Sequence, residues 1–356
     1  MLTLPALLLA SLAAAPASAA VRVWHLSDIE VYGAQSLTPA AVRAKYGVDI
    51  EHMLARWGIP TRGAQDEAQE MERRLTAEIR RDGGYGWTGV TVVDAGRKGG
   101  TVDGLVVVDV VLKDQMKERY PFRPAPERDV KDVSGLLDDW ARYRELADAG
   151  GLASGDELQR APCPAFYCPD GRGGPDMGKL EAKFAEEVPD YKQLLLQILR
   201  EDADGAKRAR ALYLLSYVKD VNDLTAYVSY ALTDPDARVR DAAVNILNDV
   251  ALNRKDVSLP VRDVARMLDY PTPDDRQHAL ALMLSLSDDP DALSIIYGPA
   301  ADQVIRLLRS KHPGVHQMAY TLLTVLSEKK YGEHDYDAWD RWLWQERQAR
   351  IKRGRK

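Results

Sequence analysis

The sequence predicts an α+β N-terminal domain of order β-α-α-β-β followed by an all-α solenoid of paired helices. Two patterns carry this expectation. Four alanine-bearing apolar helices recur through the C-terminal half. DPDARVRDAAVNIL, starting at Asp234, matches DADGAKRARALYLL 32 residues earlier and two further apolar helices 38 and 76 residues later. That alignment superposes Ala211, Ala243, Ala281 and Ala319, and also Leu214, Ile246, Leu284 and Leu322. A period of roughly 30 to 45 residues with two helices per unit marks an array that buries its apolar faces by stacking. The N-terminal third instead mixes strand-like and helical periods.

Residues 1–19, MLTLPALLLASLAAAPASA, read as an export leader. The run is apolar, is broken by Pro16 and Ser18, and ends in Ala17-Ser18-Ala19, which fits cleavage after Ala19. No basic residue precedes Arg22, a departure from the usual leader. The expected location is therefore the periplasm or the medium. In such an oxidising compartment Cys163 and Cys168, four residues apart in a Pro-rich loop, are expected to form a local disulfide rather than a metal site.

Residues 20–115 form the first domain. IEVYG (Ile29 to Gly33) alternates like a strand. Thr38 and Pro39 supply an N-cap and a first-turn proline for a helix through Val42 to Tyr46, and residues 49–57 suggest a second short helix. Ala68, Met71, Leu75 and Ile79 recur at helical spacing over 65–81, and Gly83-Gly84 closes that helix. WTGVTVVD and DGLVVVDVVLKD then read as a hairpin about Gly99-Gly100. In the last strand Val106, Val108, Val110 and Leu112 line one face while Leu105, Val107 and Val111 line the other. A half-solvated antiparallel sheet carries polar residues on its open face. The second face is thus expected to pack on another part of the same chain, with docking by a partner as the alternative.

The stretches IEVYGAQSLTPAAVRAKYG, RRLTAEIRRDGGYGWTGVTVV and VVVDVVLKD resemble a POTRA (polypeptide-transport-associated) domain. Residues 48–63 depart from that pattern as an insertion between the helices, and no β-barrel follows.

Residues 116–176 are a connector with one amphipathic helix (Leu136, Leu137, Trp140, Tyr143, Leu146) and the cysteine loop. The costly exposure of Trp140 places that helix against one of the two domains. The helix pairs of 177–332 are expected at 178–200 with 205–218, 221–232 with 236–251, 260–269 with 273–287, and 290–309 with 313–327. Residues 333–356 supply a capping helix with Trp339, Trp342 and Trp344, then a basic tail, RQARIKRGRK. The tail is either a frayed solvated end or a contact for anionic lipid or an acidic partner.

DPDARVRDAAVNIL is similar to the HEAT repeat, with its D-x-x-V-R-x-x-A core, and the likeness, weaker at 271–286 and 311–326, covers about half of the chain, which thus resembles an exported bacterial HEAT-type protein. The resemblance implies an arginine ladder between repeats. The alignment gives Arg208, Arg240, His278 and His316 that structural position. Positions one and five residues beyond the ladder then face the concave side: Ala209, Asp241, Ala279 and Gln317, and Tyr213, Asn245, Met283 and Thr321. This small, mixed surface suits a protein or peptide partner, and the net charge of −6 argues against nucleic acid.

No catalytic set stands out. GGPDMGK (Gly173 to Lys179) fits G-x-x-x-x-G-K, yet Leu180 follows where Mg²⁺ binding needs Ser or Thr. His312 and His316 have zinc-like spacing but no H-E-x-x-H context, so the ladder reading is preferred for His316. Asp202, Asp204 and Gly205 lack the remaining ligands of a calcium loop and read as helix caps. The expected function is a non-catalytic periplasmic protein-binding scaffold with no cofactor or metal. The alternatives are an accessory factor in outer-membrane protein assembly, or a lyase-type enzyme on a HEAT-like scaffold.

Overall fold

The computed structural model describes residues 21–149, 165–167, 175–254 and 257–354. The leader, both cysteines, Gly173 and Gly174 lie outside the described residues, as do the expectations that rest on them.

The first strand, β1 (Val23–Tyr32), leads into α1 (Pro39–Trp57), α2 (Arg62–Gly83), β2 (Trp87–Lys98) and β3 (Thr101–Val111). The sheet order is β1-β3-β2, with β1 parallel and β2 antiparallel to the central β3. Lys98 pairs with Thr101, and the intervening Gly99 and Gly100 both take positive φ, as a two-residue I′ hairpin turn requires. The Thr38 hydroxyl caps α1 by accepting from the amide of Ala41. The expected break near residue 48 is absent. Val42, Tyr46, Ile50, Met53 and Leu54 form one buried helical stripe, so residues 48–57 simply prolong α1. α1 and α2 cover one face of the sheet, where Val106, Val108 and Val110 share a core with Ile50, Leu54, Leu75 and Ile79.

A short helix α3 (Met116–Arg119) and an extended connector lead to α4 (Leu136–Asp148). The rest of the described chain is α5 (Pro175–Glu201), α6 (Gly205–Leu215), α7 (Val221–Ala231), α8 (Ala237–Asn253), α9 (Val261–Met267), α10 (Pro273–Ser285), α11 (Pro290–Ile296), α12 (Ala301–Leu308), α13 (Pro313–Ser327) and α14 (Tyr336–Gly354). The molecule is thus α+β, with a small mixed sheet followed by a mostly helical part. Helices α6, α8, α10 and α13 contact one another in series, each backed by the helix before it. α4 lies on α5 and α6, burying Trp140 to 2% exposure. α14 buries Trp339 and Trp342 but leaves Trp344 exposed, and it runs on helically into the basic tail. Arg350 there covers the ring of Tyr297 at 4.0 Å. No described helix is long and apolar enough to cross a membrane.

Arginines stitch the helical row together. Arg208 donates through Nε and Nη2 to Asp234 at 3.1 and 2.6 Å, and Arg240 pairs with Asp275 in the same forked way. Each also donates Nη1 to the carbonyl six residues back, closing its own inter-helix turn. Arg276 repeats that device with the carbonyl of Tyr270, and its carboxylate is Asp109 on β3, at 2.7 Å. The third member of the ladder is therefore Arg276 and not His278. True equivalents are 208, 240 and 276, with His316 in the fourth unit, at separations of 32, 36 and 40 residues. The buried alanines agree: Ala211, Ala243, Ala279 and Ala319 are fully buried, whereas Ala281 is only partly so.

The turns that hold these arginines form one edge of the helical part, and the N-terminal third covers it. Leu105, Val107 and Val111 are buried on the sheet face opposite α1 and α2, and Asp109 sits among them. Tyr32 donates to Asp269 at 3.1 Å, accepts from Gln303, and packs in the helical core. Glu30 receives the Ser310 hydroxyl and the amides of Lys311 and His312 at 2.9 to 3.0 Å. The connector continues the cover. Phe122 meets Tyr270 edge-on at 5.1 Å, Arg123 reaches Thr233 and Asp234, and the amide of Val130 donates to Asp202. The second sheet face is thus occupied by the chain itself.

Gly33, at φ +106°, lets β1 end against this junction, since a Cβ there would lie 2.0 Å from the Val110 carbonyl and 2.5 Å from Arg119. Burial pushes the Asp109 carboxyl up to about 6 against the pull of Arg276, while Asp109 in turn raises the Arg276 guanidinium. A folded value above that of an unfolded aspartate makes this group's contribution to stability complete below about pH 4 and lost as pH rises through 6. Removing the guanidinium raises the folded value further. Arg276→Met is expected to cost about 3–5 kcal/mol near neutral pH, from the unpaired buried anion. The penalty shrinks as the pH is lowered to about 5, where the carboxyl is protonated. Urea midpoints at the two pH values check this, and equal penalties would contradict it.

Candidate functional site

Realigning the ladder changes which side chains share a surface. Positions one beyond it become Ala209, Asp241, Gln277 and Gln317, and positions five beyond become Tyr213, Asn245, Ala281 and Thr321. Met283 and Ala279, assigned to the surface by the sequence alignment, are fully buried instead, because both face the neighbouring helices of the core. His278 moves the other way. It stands half-buried with Nδ1 3.4 Å from Asp241, on the surface and not in the ladder.

Tyr213 and Asn245 come together across α6 and α8, the Asn245 amide donating to the Tyr213 hydroxyl at 3.2 Å. With Asp241 they line a cleft of about 470 Å³ between α4 and the helical row. Its floor is aromatic. The Tyr213 ring is sandwiched between Trp140 (5.2 Å, 16° between planes) and Tyr167 (5.1 Å, 24°). Its rim carries charge of both signs, with Arg144, Glu145 and Asp148 on α4 and Arg210 and Asp241 on the helical row. Burial raises the Asp241 carboxyl above the ordinary carboxylate range, with His278 opposing the shift. Burial also raises the Tyr213 phenol, so it is a neutral hydrogen-bonding group at any physiological pH.

Gln317 and Thr321 lie elsewhere, exposed on α13 and bonded to each other at 3.3 Å. Two larger concavities of about 1050 and 1060 Å³ sit beside α12, the first lined by charges of both signs including Asp269, Asp302 and Arg306. The remaining sequence candidates resolve locally. Lys179 is a helical residue paired with Asp176 at 3.0 Å. Asp204 caps α6 through the amide of Ala206. His312 caps α13 by accepting from the amide of Val315, and burial lowers its pKa.

Sequence reasoning missed the α4 wall (Trp140, Ala141, Arg144, Glu145 and Asp148), together with Tyr167 and Arg210, as cleft residues. The usable signal was a tryptophan on an amphipathic helix followed closely by the aromatic AFY of the cysteine loop. No family model matches the chain, and no curated protein or solved structure is significantly similar to it.

The two roles are separable by mutation. Arg240→Met, which strands buried Asp275, is expected to cost about 3–5 kcal/mol. His278→Ala at the half-exposed pair is expected to change stability by less than about 1 kcal/mol. Chemical denaturation of both variants checks the assignment; a larger loss for His278→Ala would restore it to the ladder.

Proposed function

We propose that this chain is an exported, non-catalytic protein-binding scaffold. In this reading HEAT-type repeats form a short solenoid, a POTRA-like sheet closes one edge of it, and the cleft around Tyr213 takes a peptide segment of a partner protein. The observation that carries the proposal is the cleft itself: a stacked aromatic floor with a rim of both charge signs, on the row of second helices. Stacked aromatics give large contact area at small entropic cost, and a charged rim orients a peptide. The sheet contributes by bracing the repeats, since both its faces are occupied within the chain. The β2 edge remains for strand addition.

Peptide selection against the mature chain tests the reading. Selected peptides are expected to bind at least about tenfold more weakly to Asn245→Arg and Asp241→Lys, which crowd the cleft or change its rim. Thr321→Lys, remote on α13, should leave affinity unchanged. Peptides insensitive to the cleft variants would sink the proposal. N-terminal sequencing of secreted material is expected to begin at Ala20; an intact Met1 in a cytoplasmic fraction would contradict export.

A further inference from the structure

His316 occupies the ladder position of the fourth helix pair, but it does not behave as a ladder residue. Its Nδ1 lies 2.6 Å from the carbonyl of Leu308. A carbonyl only accepts, so Nδ1 carries a proton, and it is Nε2 that is left to offer a lone pair to a metal ion. That Nε2 is buried and has no hydrogen-bond partner. The nearest charged group is the Glu333 carboxylate at 3.8 Å, beyond hydrogen-bond range. The buried Nε2 of His316 and the half-exposed Glu333 carboxylate thus face each other at a separation too long for a hydrogen bond.

A third donor converges on the same point. His334 Nε2 lies 3.5 Å from Glu333, and the His316 and His334 rings are 5.2 Å apart. Ligand atoms of all three residues fall within 4.8 Å of one another. The loop that carries Glu333 and His334 is held in place from both sides. Trp339 donates its indole N–H to the Gly332 carbonyl at 2.9 Å, Tyr320 donates to the Tyr331 carbonyl at 3.2 Å, and the Gly332 amide donates to Asp335 at 2.8 Å.

We infer that His316, Glu333 and His334 form a binding site for a transition-metal dication of the zinc type, clamping the loop before α14 onto α13. The donor set decides the class of ion: two imidazoles with one carboxylate suit zinc and its neighbours, while calcium and magnesium take oxygen ligands. A backbone carbonyl fixing the tautomer of the buried histidine is the outer-shell arrangement that orients an imidazole toward a metal. Ligands about 2.0–2.1 Å from zinc stand about 3.3 Å apart, so the exposed Glu333 and His334 side chains need move by only about 1.5 Å to close the site. Three protein ligands leave the fourth position to water. His312 takes no part, because its ring caps α13.

Calorimetric titration of the tag-free, chelator-stripped mature chain with zinc chloride tests this. Saturable binding of one zinc per chain in the micromolar range or tighter is expected, together with a rise in Tm. Cobalt is expected to give the intense visible bands of a low-coordinate site. His334→Ala and Glu333→Gln alter exposed loop residues and should fold normally, yet each should weaken zinc binding at least about tenfold and abolish the Tm rise. Absence of saturable zinc binding below about 1 mM would overturn the inference. So would binding that both variants leave unchanged, because the ion would then sit elsewhere.

Discussion

The buried pair between Arg276 and Asp109 is the contact on which the rest of the arrangement depends. Along the helical row each ladder arginine finds its carboxylate in the next turn: Asp234 for Arg208 and Asp275 for Arg240. The fourth turn has Ser310 and Val315 at the corresponding places and offers none. Arg276 would be left as a buried cation, which costs several kcal/mol. The central strand supplies the missing anion, and it does so from among Leu105, Val107 and Val111 on the same face. Glu30, one strand over, then satisfies the amides of the turn that lacks a carboxylate. The sheet completes the ladder.

This junction fixes the geometry further along. With the sheet on Arg276, the connector passes over the turns at Asp269–Tyr270, Tyr230–Asp234 and Asp202, packing a ring on the first and hydrogen-bonding to the other two. That path delivers α4 to the flank of α5 and α6, where Trp140 can stack on Tyr213. The cleft therefore exists only because the connector is held along its length. At the opposite end the row finishes on α14, whose Trp339 both fills the last core and anchors the loop that brings Glu333 and His334 to His316.

Much of this was legible in the residues. The β-α-α-β-β order, the hairpin at Gly99-Gly100, the first three helix pairs and the covered second face of β3 all followed from periodicity and turn chemistry. The helix expected over 290–309 is instead two, α11 and α12, separated by a turn at 297–300 that contains Gly298 and Pro299. The ladder register did not, for a specific reason. HALALM carries alanines at both 279 and 281, so a constant offset fits Ala281 as well as the correct Ala279. The unit lengths grow from 32 to 36 to 40 residues, and no constant offset can follow that. The two-residue slip put His278 in the ladder and Met283 on the surface. The convergence of His316 with His334 was equally invisible, since the rest of α13 and a loop separate them and the tempting neighbour, His312, is engaged as a helix cap. The wall of the cleft on α6 and α8 was found because Ala209, Tyr213, Asp241 and Asn245 lie before the slip.

Differential scanning calorimetry of the mature chain addresses the central dependence most directly. If the sheet completes the arginine ladder, the two parts melt together. One transition is then expected, with the calorimetric and van't Hoff enthalpies agreeing as they do for a single cooperative unit. Two resolved transitions, one for the sheet with α1 and α2 and one for the helical row, would show that the helices stand without Asp109 and would contradict that dependence.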